Sequence, residues 1–331
     1  MELKPGYKQT EIGVIPEDWE VEYLPKICQF KAGKAHEQYI TLMGDYICVN
    51  SKFISSDGKI QKRCYRNDCQ ARKGDILMVM SDLPNGKALA KAFVVKEDGL
   101  YAVNQRVCAL RPYHSNSEYL FYVLNRSPYF LKHDDGVNQT HLLNPVFLKC
   151  QLPLPSLREQ RAIADSLCGI DSLITSLEKL IEKKKLIKQG VMQELLTGKR
   201  RLPGFRREWE TKRYGDIFQF ISSANYTRED LTDTGSIRYI HYGDIHTKFE
   251  NYVDLSDASI PTIQDCKLKN YPLLETGDLI MVDASEDYSG VGKSVEAINP
   301  NGCKAISGLH TILLRDTSKT FADGYRAFIH S

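Results

Sequence analysis

No stretch of this chain is apolar over the ~18 residues that a membrane-crossing helix needs, so no helical span is expected. The N-terminal MELKPGYKQTEIG has no apolar signal core. No CxxC pair occurs among the nine cysteines, an odd number scattered along the chain. Cys64 and Cys69 are the closest two, and that spacing alone is a weak metal or disulfide signal. The cysteines therefore read as reduced thiols of an intracellular, cytoplasmic protein. The formal net charge is only +2, so the chain is no polycation, and any nucleic-acid surface must come from local clustering. One cluster exists: Lys199, Arg200, Arg201, Arg206 and Arg207, which reads equally as a solvated linker or as a phosphate contact. A chain of 331 residues has two domains by default, each large enough to bury a core.

Only two tryptophans are present, and they mark a repeat. IPEDWEVEYLPKICQF, from Ile15 to Phe30, is answered by FRREWETKRYGDIFQF, from Phe205 to Phe220. Trp19 matches Trp209 and Phe30 matches Phe220. Further on, KGDILMV (Lys73–Val79) is answered by TGDLIMV (Thr276–Val282), and Leu110-Arg111 by Leu314-Arg315. The order is kept and the spacing drifts slowly, as insertions in one copy produce. Two similar but non-identical modules suit two similar but non-identical targets. A single active site has little use for them.

Between the copies lies a predicted helix from Ser156 to Leu196. Pro155 blocks helix on its N-terminal side, and Ser156 with Glu159 has capping-box spacing. Ile163, Leu167, Ile170, Ile174, Leu177 and Ile181 recur at steps of four and three, a heptad seam. Leu173, Leu180 and Ile187 add a flank, Lys184 and Lys188 interrupt the seam, and Gly198 is a plausible stop. About 40 residues at ~1.5 Å each make a rod of roughly 60 Å, longer than one compact domain covers. The stripe either needs a partner helix, in cis or in trans, or lies on its own domain.

Short β-branched and aromatic runs fill both modules: YICVN, GDILMVM, KAFVV and RVCAL in the first, IRYIHYGDI, GDLIMV and HTILLR in the second. They predict an α+β fold, two mixed, strand-rich domains joined by a long coiled-coil-type helix. Each Gly-Asp strand runs into a polar loop, either a base-reading surface or an ordinary hydrophilic one.

The stretch PLPSLREQRAIADSLCGIDSLITSLEKLIEKKKLIKQGVMQELLTGKRRLPGF, from Pro153 to Phe205, resembles the central region of the specificity subunits of type I restriction-modification systems. The likeness rests on Pro155, Glu159 and Gln160 at its opening, on Ile170-Asp171, and on the Lys188 to Gly198 close. A Trp at the start of each flanking module fits as well. The resemblance implies two target recognition domains, at 1–153 and 199–331, around a spacer helix at 154–198. It implies a non-catalytic subunit without cofactor or metal. Its partners would be double-stranded DNA, modification (methyltransferase) subunits and the restriction subunit, with self-association through the seam.

The second copy stops at Ser331, before any counterpart of roughly Leu124 to Leu196, so a C-terminally truncated subunit is expected. On that expectation the first module carries most of the specificity, and two copies with antiparallel helices read a palindromic split target. The rival from another class is an assembly scaffold that binds the modification subunit but not DNA. Loop chemistry and internal correspondence nominate DNA contacts. In the first module these are Ser81, Asp82, Asn85, Lys87, Asn104, Gln105, Arg106, Gln139, Thr140 and His141. In the second they are Asp283, Ser285, Tyr288, Lys293 and His310.

Catalytic motifs fall short. Gly290-Val291-Gly292-Lys293-Ser294 mimics a P-loop ending, but the required first glycine is Asp287. Asn144-Pro145-Val146-Phe147 lacks the second proline of an adenine-methyltransferase motif. His241, Asp244 and His246, taken as a strand-like run, would alternate faces and not converge on a metal.

Overall fold

The computed structural model of this chain describes residues 3–84, 86–264, 269–285 and 290–330. The chain forms two compact units, Met1–Lys184 and Lys185–Ser331. The first contains, in order, β1 (Tyr7–Thr10), β2 (Gly13–Pro16), β3 (Glu20–Tyr23), α1 (Leu24–Ile27), β4 (Cys28–Ala32), β5 (Tyr46–Val49), α2 (Ser51–Ser55), β6 (Arg63–Cys64) and β7 (Ile76–Val79). It continues with β8 (Ser81–Asp82), β9 (Ala92–Val94), β10 (Tyr101–Val103), β11 (Val107–Pro112), α3 (Ser117–Leu124), α4 (Pro128–Leu131), β12 (Thr140–His141), α5 (Asn144–Leu148) and β13 (Gln151–Leu154). The long helix α6 (Leu157–Leu196) follows and runs past the unit boundary. The second unit holds α7 (Tyr214–Ile217), β14 (Phe218–Ile221), β15 (Leu231–Thr232), β16 (Ile237–Ile240), α8 (Tyr242–Thr247), β17 (Tyr252–Asp254) and β18 (Thr262–Ile263). It closes with β19 (Leu279–Val282), β20 (Ser294–Ile298), β21 (Lys304–Ser307) and β22 (Thr311–Asp316).

The duplication read in the sequence is a duplication of sheets. Unit 1 has a four-stranded sheet ordered β4-β11-β7-β9, and unit 2 has the same order in β14-β22-β19-β20, extended by β17. A second sheet, β10-β5-β6, is answered by β15-β18-β16-β21. Pairing is mostly antiparallel, with a parallel pair β5–β10 in one unit and β16–β21 and β17–β20 in the other. All four residues of β7 are buried. Ile76 and Met78 face a cluster with Leu110, Leu120 and Phe147, whereas Leu77 and Val79 face Val49, Phe53 and Val103. A strand covered on both faces reads as a continuous apolar run, which is what GDILMV shows.

Each Gly-Asp pair has a mechanical role. Gly74 and Gly277 adopt left-handed φ values of 86° and 87°, where a Cβ would be strained. The following aspartate is buried and grips the arginine across the sheet with both oxygens. Arg111 Nε and Nη2 donate to Asp75 Oδ1 and Oδ2 at 2.7 and 2.8 Å. Arg315 repeats this on Asp278 at 2.8 and 2.6 Å. Asp75 also accepts the Arg72 N–H, and Asp278 the Glu275 N–H.

Helix α6 begins where the sequence indicates. The Ser156 hydroxyl accepts from the Glu159 N–H at 3.3 Å. A second tie comes from Gln160, whose amide donates to the Pro155 carbonyl and accepts from the Asn116 N–H. At the other end Gly198 takes a left-handed φ of 71° and its N–H donates to the Leu195 carbonyl. No helix among the described residues is long and apolar enough to cross a membrane. The eight described cysteines are free thiols, and burial pushes Cys28, Cys48 and Cys150 up to about 12.

The structure departs from the sequence pattern in two places. The run IRYIHYGDI is not one strand: β16 ends at Ile240, His241 Nδ1 accepts the Gly243 N–H as a helix cap, and α8 follows. Residues 205–213, which answer the β3 region, form no strand. In unit 1, β3 is a strand because β13 pairs with it from Tyr23↔Gln151 to Glu20↔Leu154. Residues 205–213 have no such partner among the described strands.

Unit 2 ties its last segment down with charge. Arg326, 4% exposed, donates to Glu296 and Asp316, both at 3.2 Å, and to Asp323 at 2.9 Å. Burial alone would raise the Asp316 carboxyl, but the Phe321 and Thr320 N–H groups, the Ser318 hydroxyl and Arg326 together hold it below the usual carboxylate range. A carboxyl lowered on folding stabilises at pH above its unfolded value, about 4, and that contribution disappears as pH falls through the folded value. Protection factors of residues 316–330, with the intrinsic exchange rate divided out, should therefore fall on acidification below about pH 4. Uniform protection down to about pH 2 would count against this anchor. Replacing Asp75 or Asp278 with alanine should lower stability by about 3 kcal/mol in denaturant titration, because a paired arginine loses its partner. A loss under about 0.5 kcal/mol would make the clamp passive.

Candidate nucleic-acid interface

The clamp sits at one end of a strand pair, and the polar loops sit at the other. β7 and β11 run from Ile76↔Leu110 to Val79↔Val107. Just beyond, the Met80 N–H donates to the Arg106 carbonyl at 2.9 Å. The chain then enters β8, which pairs with β12 through Asp82↔Thr140 and Ser81↔His141. The Leu142 N–H donates back to the Met80 carbonyl at 2.7 Å, and Gln139 Nε2 donates to Ser81 Oγ at 3.1 Å. Three distant segments thus meet around an open cavity of about 330 Å³ lined by Ser81, Gln105, Arg106, His141 and Asn144 with apolar Met80, Leu142 and Leu143.

The nominated residues of unit 1 divide into two groups. Gln105, Arg106, Gln139, His141 and Lys87 are exposed. Ser81, Asn104 and Thr140 are buried. Asp82 is no free contact: its carboxylate accepts the N–H groups of Leu83, Ala88 and Leu89 at 2.9, 2.7 and 3.1 Å, folding the loop around itself. Asn104 accepts the His36 N–H at 3.1 Å and donates to the Glu37 carboxylate. Thr140 Oγ1 donates to Asp134. These three hold the loops in place; sequence alone does not separate a polar side chain that shapes a loop from one the loop displays. Asn85 lies outside the described residues. Asn144, set aside as part of a false methyltransferase motif, joins the rim.

Unit 2 builds the same junction. The Asp283 N–H donates to the His310 carbonyl at 3.2 Å, as Met80 does to Arg106. The Val282 N–H donates to the Lys293 carbonyl, as Val79 does to Lys91. Hence His310 stands where Arg106 stands, Asp283 where Met80 stands, and Lys293 where Lys91 stands. Lys91 Nζ donates to the Ser55 carbonyl at the end of α2, and Lys293 Nζ to the His246 carbonyl in α8. Burial lowers the Lys293 ammonium, with Glu250 opposing the shift. Lys293 therefore straps the loop to the helix.

His310 adopts a left-handed φ of 55° and holds Nδ1 3.5 Å from Asp283 Oδ1. Tyr242 lies edge-on to it, with ring centroids 5.3 Å apart, and also against His241 at 4.5 Å. Burial first, then the charges of Arg228 and His310, lower the His241 imidazole against Asp244. Gly290 is required here, because a Cβ would meet Ser285 Oγ and the His246 ring within 2.5 Å. Tyr288 lies outside the described residues. Tyr242 was missed because its segment reads as strand; the signal was the cap spacing of His241 to Asp244. Among the described residues no group of three or more His, Cys, Asp or Glu side chains can hold a metal ion.

The helix divides as well. Near its start Ala164 is buried and Ile163 packs on the unit 1 core, while Tyr122 donates to Asp171 at 2.6 Å. Ile170, Ile174, Leu177 and Ile181 are about half exposed and continue the seam in the open, beyond the half-buried Leu167.

Two units that present different side chains from the same strand junction define a duplicated fold. Known proteins of one class match it. The family model for the type I restriction modification DNA specificity domain matches residues 16–189, and the chain belongs to this family. It is 29% identical over 212 residues to the type I restriction enzyme MjaVIII specificity subunit of Methanocaldococcus jannaschii, covering 60% of this chain and 50% of that protein. It is 31% identical over 212 residues to the putative MjaX specificity subunit of the same organism, covering 58% and 48%. The chain thus spans about half the length of these curated relatives. In fold it matches the crystal structure of a type I restriction-modification S subunit from M. genitalium, at 14% identity and a TM-score of 0.54 over 99% of this chain and 78% of that one.

The division of the rim generates a test. Asp82→Ala and Asn104→Ala each leave buried N–H donors without acceptors and should lower stability by about 1–3 kcal/mol in chemical denaturation. Gln105→Ala and Gln139→Ala should stay within about 0.5 kcal/mol. The reverse ranking would reassign the two groups.

Proposed function

We propose that this chain is a sequence-specific DNA-recognition subunit that directs methyltransferase and restriction subunits of a type I restriction-modification complex to a bipartite target. The observation that carries this reading is the junction built twice with different exposed side chains. One scaffold with two faces suits two half-sites. Affinity comes mainly from lysine and arginine on phosphates, and sequence is read by loop side chains in the grooves. In unit 1 the readers are Gln105, Arg106, Gln139 and His141, with Lys87 on phosphate. In unit 2 they are Asp283, Ser285 and His310. Family membership supports the reading.

Functionally, residues 1–153 and 199–331 act as the two readers and 154–198 as spacer and docking helix. The half-exposed Ile170, Ile174, Leu177 and Ile181 stripe is the docking surface for modification subunits or for the same helix of another copy. Methyl transfer and cleavage belong to the partner subunits.

Two experiments test this. Exchanging residues 20–150 for the first module of another family member should change one half of the methylated target and spare the other. A change in both halves, or in neither, would sink the two-reader model. Introducing Ile170→Asp with Leu177→Asp should abolish association through the helix, because each charge would be buried unpaired. Light scattering that shows unchanged assembly would move the docking surface elsewhere.

A further inference from the structure

The correspondence between units points to one position as the reader of base identity. Met80 N–H to Arg106 carbonyl in unit 1 is the same bond as Asp283 N–H to His310 carbonyl in unit 2. The side chain that follows from this shared bond is Arg106 in one unit and His310 in the other. Everything around it is held. The Arg106 turn is fixed from behind by buried Asn104, which binds the His36 N–H and the Glu37 carboxylate. The strands that feed the turn are set by the Asp75–Arg111 clamp. The Arg106 residue itself is exposed. A fixed backbone under a projecting side chain is what base reading needs, whereas phosphate contacts tolerate a loose one.

We propose that the turn apex is the principal base-reading position of each unit, and that Arg106 takes the major-groove edge of a guanine. The inference rests on the DNA-recognition reading above and gives it a chemical identity. Beside the guanidinium itself, the rim carries the Gln105 and Asn144 amides, while the Gln139 amide donates to Ser81 Oγ. The Asp82 carboxylate, which follows Ser81 of the rim, is taken up by three backbone N–H groups. Guanine alone presents two acceptors, N7 and O6, spaced for a guanidinium fork. The equivalent apex in unit 2 differs in kind. His310 is held by Asp283, which places an acceptor beside the imidazole. That rim suits a base edge presenting an amino donor, as cytosine and adenine do. The two half-sites therefore differ at the base under the apex.

The test selects randomised duplex DNA with the full chain and sequences what is retained, for the wild type, Arg106→Gln, Arg106→Lys and His310→Arg. The wild type should enrich guanine at one position of one half-site. Arg106→Gln should weaken that single preference roughly 5- to 150-fold and leave every other position unchanged. Arg106→Lys retains the charge but loses the fork, so it should keep overall affinity and lose much of the guanine preference. His310→Arg should shift preference at one base of the other half-site. Thermal melting checks that the variants fold, as expected for an exposed side chain. A uniform loss of affinity for all sequences with Arg106→Gln, together with a shallower salt dependence, would make Arg106 a phosphate contact and overturn the assignment. So would an enriched target that Arg106→Gln leaves intact. If the wild type enriches no position at all, sequence recognition by this chain fails and the assignment with it.

Discussion

The structure depends on one ion pair with a buried carboxylate, made twice. Asp75 with Arg111 and Asp278 with Arg315 each join the start of one central strand to the far part of its neighbour. Both pairs are two-pronged, and both aspartates also close the preceding turn. A carboxylate this deep is tolerable only when its hydrogen-bonding capacity is met. Meeting it fixes the register of β7 on β11 and of β19 on β22. A slip of one residue would turn every side chain of these strands to the opposite face. The junctions at their other ends, where Met80 meets Arg106 and Asp283 meets His310, inherit that register.

Around this shared clamp the two units are finished differently. In unit 1 the strand position of Val94 faces an apolar cluster with Leu120 and Phe130. By sheet register its counterpart in unit 2 is Glu296, since Val94 pairs with Ile76 and Glu296 with Leu279. Glu296 is fully buried and binds Arg326 together with the N–H groups of Gly324 and Ala327. One unit closes with hydrocarbon and the other with an ionic lock. The lock is directional, so it specifies where the final segment sits, whereas the apolar cluster tolerates more than one arrangement.

The sequence exposed the parts of this design that are periodic or repeated. The α6 stripe follows from its spacing, and both Gly-Asp strands and the Leu-Arg pairs from their repetition in the two modules. The Asp75–Arg111 contact was present as two separate matched motifs, and only the sheet brings them together. Asp82, Asn104 and Lys293 were read as DNA contacts because a polar residue in a loop carries no mark of which way it faces. Asp82 binds backbone N–H groups of its own loop, Asn104 binds His36 and Glu37, and Lys293 binds His246, partners that no local pattern encodes. HYGDIH was read as strand because its aromatic and β-branched content outweighed a cap signal of one histidine.

Separating the clamp from the junction has an evolutionary meaning. The residues that decide whether a unit folds lie at one end of the strand pair, and the exposed side chains of the junction lie at the other. Substitutions at 105 and 106 touch no core side chain, and at 139 only the hydrogen bond to Ser81, so drift there costs folding stability little. New specificities can accumulate without first passing through unstable intermediates. The two halves of this chain, alike in skeleton and unlike at the apex, are what such divergence leaves behind.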